Sequence, residues 1–294
     1  VKPLHLAMIL AIDLLWAFNV VAIKEAVTVA GPLVMVLLRY AIVAVICLPF
    51  VRWLPGRMRL VLFTGLVAGA LFMTLGAISF AVADNLPALS IAGQLGVPFS
   101  LILAVLFLGE TIRWPRILAT VLAFAGVVVM GFDAAIIDER LGLLLTVAAS
   151  LCWAAGNLLF RQLAGVPVLV IHGWLGLVSV PVMLVAAAVI EPAGLAAIPR
   201  LPAATWGWIA YSGIASSLIG HGGMTWLFQR YPVAVVSPLT LPTPLLSVLV
   251  AVMVYAAPIT PQMLAGGALT LAGVAIITIR TARRRDADMP VEPS

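Results

Sequence analysis

The sequence predicts an all-α integral membrane protein, with ten transmembrane helices arranged as two inverted five-helix repeats. Three observations predict it. Of the 294 residues, 64% are hydrophobic and 9% charged, whereas a soluble domain is typically about a quarter charged. The apolar residues fall into ten runs, most of them long enough at about 1.5 Å per residue to cross roughly 30 Å of hydrocarbon. One stretch occurs twice: Leu14-Leu15-Trp16-Ala17 with Asn19 and Lys24 returns as Leu151-Cys152-Trp153-Ala154 with Asn157 and Arg161.

The runs cover 4–24, 32–51, 60–82, 86–108, 114–132, 141–160, 166–190, 204–229, 233–255 and 260–280. Their continuity predicts helices, because barrel strands are about ten residues long and alternate in polarity. The first run lacks a small-residue cleavage site and leads into the second, so it reads as a retained helix rather than a signal peptide. The second run carries Arg39. The third holds Gly65 and Gly69, a small-residue pair suited to a helix contact. Pro98 in the fourth run, and Pro238, Pro242 and Pro244 in the ninth, each remove a helix hydrogen bond, so kinks that serve as gates are expected there. The sixth run carries the second copy of the tryptophan stretch. His221 lies in the eighth, and a basic tail, Arg280 to Arg285, follows the tenth. Cys47 and Cys152 fall inside spans and read as packing residues. The gaps leave no soluble domain.

Trp16 and Lys24 map onto Trp153 and Arg161 at an offset of 137 residues, with the asparagines slipped by one. A second echo, at an offset of 146, pairs Phe80 with Trp226, Ala88 with Ala234, Gln94 with Thr240 and Pro98 with Pro244. The halves are therefore read as residues 1–137 and 138–294. Lysine and arginine are retained on the cytoplasmic side of short loops. With ten spans, twelve basic residues fall on one side (Lys2, Arg52, Arg57, Arg59, Arg113, Arg116, Arg161, Arg230 and the arginines from 280 to 285) and three on the other, Lys24, Arg140 and Arg200. Both termini are thus expected in the cytoplasm, at a plasma or bacterial inner membrane. Five spans per half is an odd number, so the second copy enters from the opposite face. That is the plan of many secondary transporters, with substrate held between the halves near the midplane. The net charge of +5 and the pI near 9.8 reflect this flank touching anionic headgroups rather than nucleic acid.

Polar residues at membrane depth are costly, on the order of 2.5 to 3.5 kcal/mol for a charge at a helix centre on insertion scales. Asp13 and Arg39 lie at such depth. They read either as an ion pair, or with Arg39 bonded to Asn19, or as a substrate anchor with Asp13 as a proton or amine site. Trp16 with Asn19, and Trp153 with Asn157, share a helix face within each pair. The two-fold turns both faces toward one central volume, where tryptophan supplies an apolar wall and asparagine orients a polar end. His221, among Gly220, Gly222 and Gly223, sits near mid-membrane. Gln94 and Thr240, matched across the repeat, complete the expected substrate-binding set. Ser79, Ser237 and His172 are weaker candidates, since serines often bond their own helix.

Several residues also carry a family resemblance: the Leu-Leu-Trp-Ala stretch with Asn19 and Lys24, Leu38-Arg39-Tyr40, Leu108-Gly109-Glu110, and Ala125-Gly126-Val127. Together they resemble the drug/metabolite transporter superfamily, in its EamA-type ten-helix members, and within these the YddG-type exporters of aromatic amino acids. The resemblance implies a central cavity lined mainly by spans one, three, four, six, eight and nine, and alternating access without ATP hydrolysis. One departure is visible: span nine ends in Tyr255-Ala256-Ala257-Pro258, so Glu110 has no symmetric partner.

The expected function is export of small metabolites, foremost amino acids, zwitterionic or neutral because Arg39 is the lone basic residue at mid-membrane. The alternatives are a phosphorylated-metabolite or nucleotide-sugar carrier, a channel, or an intramembrane enzyme. No His-Glu-x-x-His, paired aspartates or Gly-x-Ser-x-Gly elbow supports the last, so no enzyme, cofactor or metal is expected. The expected partners are the solute and the bilayer, with a monomer favoured.

Overall fold

The computed structural model describes residues 2–108, 114–131, 139–228, 230, 237–240 and 242–288. Among these the secondary structure is wholly helical. In chain order the long helices are α1 (Pro3–Ala30), α2 (Pro32–Cys47), α3 (Met58–Val82), α4 (86–108), α5 (Trp114–Gly131), α6 (Arg140–Gln162), α7 (Val168–Ile190), α8 (203–228), α9 (Pro242–Tyr255) and α10 (Pro261–Asp288). A short helix, Pro192–Ala197, links α7 to α8. Among the described residues six helices are long and apolar enough to cross a membrane, and three shorter apolar helices lie within α5, α9 and α10. The remaining run, α8, is helical throughout but interrupted by serines, glycines and His221.

Proline starts many of these helices because its missing N–H is one a first turn leaves unbonded anyway. Pro3, Pro32, Pro87 and Pro192 sit at such positions. Gly31 makes the tight turn from α1 to α2 with φ 85°, a left-handed conformation that glycine adopts without a Cβ clash. Large apolar side chains cover the exterior, and the largely apolar core also holds polar groups. Leu10, Leu14, Phe63, Phe107, Val185 and Met253 are exposed, while Asp13, Asn19, Arg39, Thr64, Ser79, Ser150 and His172 are buried. That distribution suits an exterior solvated by lipid.

Close contacts fix the helix directions. Gly65, Gly69 and Thr74 on α3 meet Val178, Ser179 and Met183 on α7 in the same order, so these two run parallel. Ala68, Ser79 and Ala83 on α3 meet Gly156, Thr146 and Gly142 on α6 in reverse order, so this pair is antiparallel. Ala44 and Cys47 on α2 meet Gly176 and Gly173 on α7, again in reverse. Since α2 also reverses α1 at Gly31, α1 is parallel to α3 and α7, and antiparallel to α6. The first helices of the two halves run in opposite directions.

Packing partners repeat in the same way. The pairs α2 with α7 and α5 with α10 join corresponding helices. α1 packs on α8 and α9, and α6 packs on α3 and α4. A feature with no sequence signature follows the repeat too. π-helical stretches interrupt α3 at Gly65–Leu71 and α8 at Tyr211–His221. Their first residues are 146 apart, the offset that relates Pro98 to Pro244.

In α4 the break is a 3-10 turn, Gly93–Leu95, just before Pro98. The proline lacks the N–H that bonds the Gln94 carbonyl, and the helix retightens there. In the ninth run, residues 231–236 and 241 lie outside the described residues. Among the described ones, Ser237–Thr240 forms a 3-10 turn containing Pro238, and α-helix covers Pro242–Tyr255, which includes Pro244. Pro181 lies inside α7 without ending it. The Gly109 and Glu110 of the family motif fall outside the described residues, and α10 carries the basic tail onward as helix to Asp288.

Candidate functional site

Where α1, α6 and α8 meet, three rings touch. The imidazole of His221 packs against the indole of Trp16, with centroids 4.9 Å apart, and against that of Trp153, at 5.1 Å. Phe72 on α3 extends the cluster at 5.2 Å from Trp153. Glycine makes the approach feasible on both sides. A Cβ at Gly220 would collide with Nε1 of Trp16, and one at Gly96 would come 3.1 Å from Cδ1 of Trp153. Trp16 Nε1 donates to the Ser216 carbonyl at 3.3 Å. The Nδ1 of His221 is buried and has no hydrogen-bond partner. The geometry thus brings three expected residues, Trp16, Trp153 and His221, into one contact between the halves.

Beside this cluster Arg39 is 2% exposed. Its Nε donates to Ser217 Oγ at 2.9 Å and its Nη2 to Ser216 Oγ at 3.4 Å. Both serines belong to the π stretch of α8. A π stretch bonds i to i+5, and neighbouring Ser216 and Ser217 both reach the guanidinium. Arg39 and His172 lie close enough to act electrostatically on His221.

The ion pair expected between Asp13 and Arg39 is not formed, and neither is a bond from Arg39 to Asn19. Arg39 turns to α8. Asp13, 0% exposed, accepts from Thr243 Oγ1 at 2.7 Å through Oδ1, and its Oδ2 has no partner among the described residues. Asn19 accepts from Ser212 Oγ at 2.7 Å, so it ties α1 to α8. The reason is topological: α8 and α9 pack along α1 and offer hydroxyls at the right depth. Among the described residues the one ion pair is Lys24–Asp84 at 2.6 Å, and Lys24 also bonds the carbonyls of Phe80 and Ala83 at the end of α3.

Gln94 and Asn157 are half-buried, and no described residue bonds their side chains. A Cβ at Gly93, next to Gln94, or at Gly76, one turn beyond Phe72, would meet nothing within 4 Å, so both glycines face open space. Thr240 is half-buried in the 3-10 turn before α9. Ser79 is engaged with Thr146 Oγ1 and the Gly142 carbonyl, holding α3 on α6. His172 is buried, and its Nε2 has no partner. Sequence reasoning missed Phe72, Ser212, Ser216, Ser217 and Thr243. A cluster of serines on one apolar run was the available signal for α8. Thr243 and Phe72 carried none. No group of three metal-ligating side chains occurs among the described residues.

Comparison with known proteins bears on what this arrangement belongs to. The EamA-like transporter family matches residues 4–132 and again 140–279. The chain is 26% identical over 280 residues to a probable amino-acid metabolite efflux pump of Salmonella typhimurium (strain LT2), spanning 91% of this chain and 92% of that protein. It is equally similar, over 279 residues and the same shares, to the Escherichia coli K12 protein of that description. An uncharacterized transporter of Archaeoglobus fulgidus is 28% identical over 283 residues, covering 89% of this chain and 94% of the other. A solved structure, titled only as the crystal structure of a protein, superposes with a TM-score of 0.64 over 97% of this chain and 100% of its own, at 19% identity, which is a likeness of fold. With the family matched once in each half, the chain belongs to the EamA-like transporter family and is a multi-pass membrane transporter, not an enzyme.

Proposed function

We propose that the protein is a secondary carrier that exports amino acids or closely related small zwitterionic metabolites. It has ten spans in two inverted repeats, 1–137 and 138–294, with both termini in the cytoplasm of a cell whose plasma or inner membrane holds it. Solute occupies the space between the halves and is exposed to each side in turn. The relatives described as probable amino-acid metabolite efflux pumps support the substrate class and the direction.

The observation that carries the proposal is the contact of His221 with Trp16 and Trp153. The duplicated tryptophans of α1 and α6 converge on one residue of α8, so a solute that parts these rings also parts the two halves. Arg39, buried without a carboxylate partner among the described residues, lies alongside and suits a solute carboxylate. Gln94, next to the open space at Gly93, and Asn157 supply neutral polar groups. In proteoliposomes, saturable counterflow of labelled amino acids identifies a carrier, whereas flux that does not saturate or exchange overturns the reading. Resistance of expressing cells to toxic amino-acid analogues then picks out the solute.

A further inference from the structure

A second cavity lies far from the aromatic cluster, at the end of the bundle where α2 leads to α3 and α6 to α7. It is about 330 Å³ and is lined by Arg52, Leu54, Pro55, Arg57, Ala164 and Gly165, with Val166 behind. Two cations line it and no acid does. Arg57 Nη1 donates to the Ala164 carbonyl at 3.2 Å, which holds its guanidinium across the gap between the two loops. The Arg52 guanidinium bonds nothing among the described residues, while its backbone carbonyl is fixed by Trp174 Nε1 at 3.0 Å. Trp53 is 68% exposed and meets Trp174 edge-on at 6.3 Å. Exposed tryptophan marks the level of lipid headgroups. Val166, which is buried, and Leu54 give the lining an apolar part.

We infer that this cavity is a binding site for the phosphate group of an acidic phospholipid, held between the guanidinia of Arg52 and Arg57 with the glycerol and upper acyl chain against Trp53. Planar guanidinium forks match phosphate oxygens in pairs, and basic pockets between helices at a headgroup surface are a recurring form of lipid recognition. The lining comes from both halves, so a bound lipid bridges α2 and α3 to α6 and α7 at their shared end. The site does not depend on which solute is carried.

The full chain, reconstituted in phosphatidylcholine vesicles containing brominated phosphatidylglycerol, tests this by tryptophan quenching. The paired variant R52Q/R57Q is compared with R59Q/R230Q, which removes equal charge from the same end outside the cavity. The expected result is that R52Q/R57Q weakens phosphatidylglycerol binding about tenfold or more, as the loss of charge-assisted hydrogen bonds from two guanidinia predicts, and R59Q/R230Q does not. Arg52→Gln alone, whose side chain bonds nothing among the described residues, serves if the pair misfolds and is expected to weaken binding by itself. Equal loss in both pairs means only a diffuse surface potential and overturns the site. Displacement of the lipid by inorganic phosphate at an equal concentration identifies a soluble anion as the occupant and overturns the lipid assignment.

Discussion

Trp16 and His221 are in ring contact, with planes tilted by 40°, although they are 205 positions apart in the chain. The contact depends on Gly220, whose missing Cβ leaves room for the indole. Gly220→Ala therefore forces Trp16 aside. Overpacking of this kind costs about 1 to 3 kcal/mol, so thermal unfolding in detergent is expected at a lower temperature than the parent. Trp16→Phe in the same chain removes the clashing Nε1 edge and is expected to restore part of the loss. A parental melting curve for Gly220→Ala alone shows that the ring moves freely.

His221→Ala and Trp153→Ala are each expected to slow efflux by about tenfold, equivalent to 1.4 kcal/mol, while membrane insertion and expression stay at parental levels. Ring contacts contribute about 0.5 to 1.5 kcal/mol each beyond the area they bury, and Trp153→Ala removes a large side chain besides, so the amount of folded protein is measured for each variant. Rate and amount are read together in reconstituted vesicles. Parental rates in both variants place the solute path elsewhere.

At the opposite end from the basic cavity, Glu191 accepts from the backbone N–H groups of Leu33 and Val34 at 3.1 and 3.2 Å. These are donors that the first turn of α2 leaves unbonded, and a carboxylate there also meets the positive end of the helix dipole. Glu191→Ala is expected to lower stability by about 0.5 to 2 kcal/mol with the substrate KM unchanged. Thermal unfolding and a concentration series for transport measure the two separately.

Asp13 and Thr243 connect α1 to α9, and Glu25 with Tyr255 does so 12 residues further along both helices, which makes the two parallel. The equivalent of Asp13 at the 137 offset is Ser150, which bonds the Gly93 carbonyl on α4. Only the first half therefore carries an ionisable group at this contact. Asp13→Asn keeps an acceptor for Thr243 and removes the charge. The expected outcome is efflux that no longer responds to an imposed proton gradient, with counterflow retained. A variant that responds as the parent does excludes Asp13 as the coupling group.

Much of the site was legible in the chain because apolar spans leave few polar or aromatic interruptions to weigh. Trp16 and Trp153 stood out by repetition, and His221 by its glycine neighbours. The partners of Arg39 were not legible. Serines are common in membrane helices and usually bond their own backbone, so the cluster of serines on the eighth run did not by itself point to Arg39. The π stretches were equally silent, since a widened turn depends on what the helix packs against.

The sequence by itself determined that this protein is helical, embedded in a membrane and built by duplication, because hydropathy, run length and repetition are properties of residues in order. Which polar groups meet was decided by the tertiary structure alone. Asp13 and Arg39 sit on consecutive helices, yet α8 and α9 pack along α1 and take one residue each. In a bilayer a buried polar side chain bonds whichever neighbour the packing supplies, and that neighbour is set by how the helices cross rather than by spacing along one.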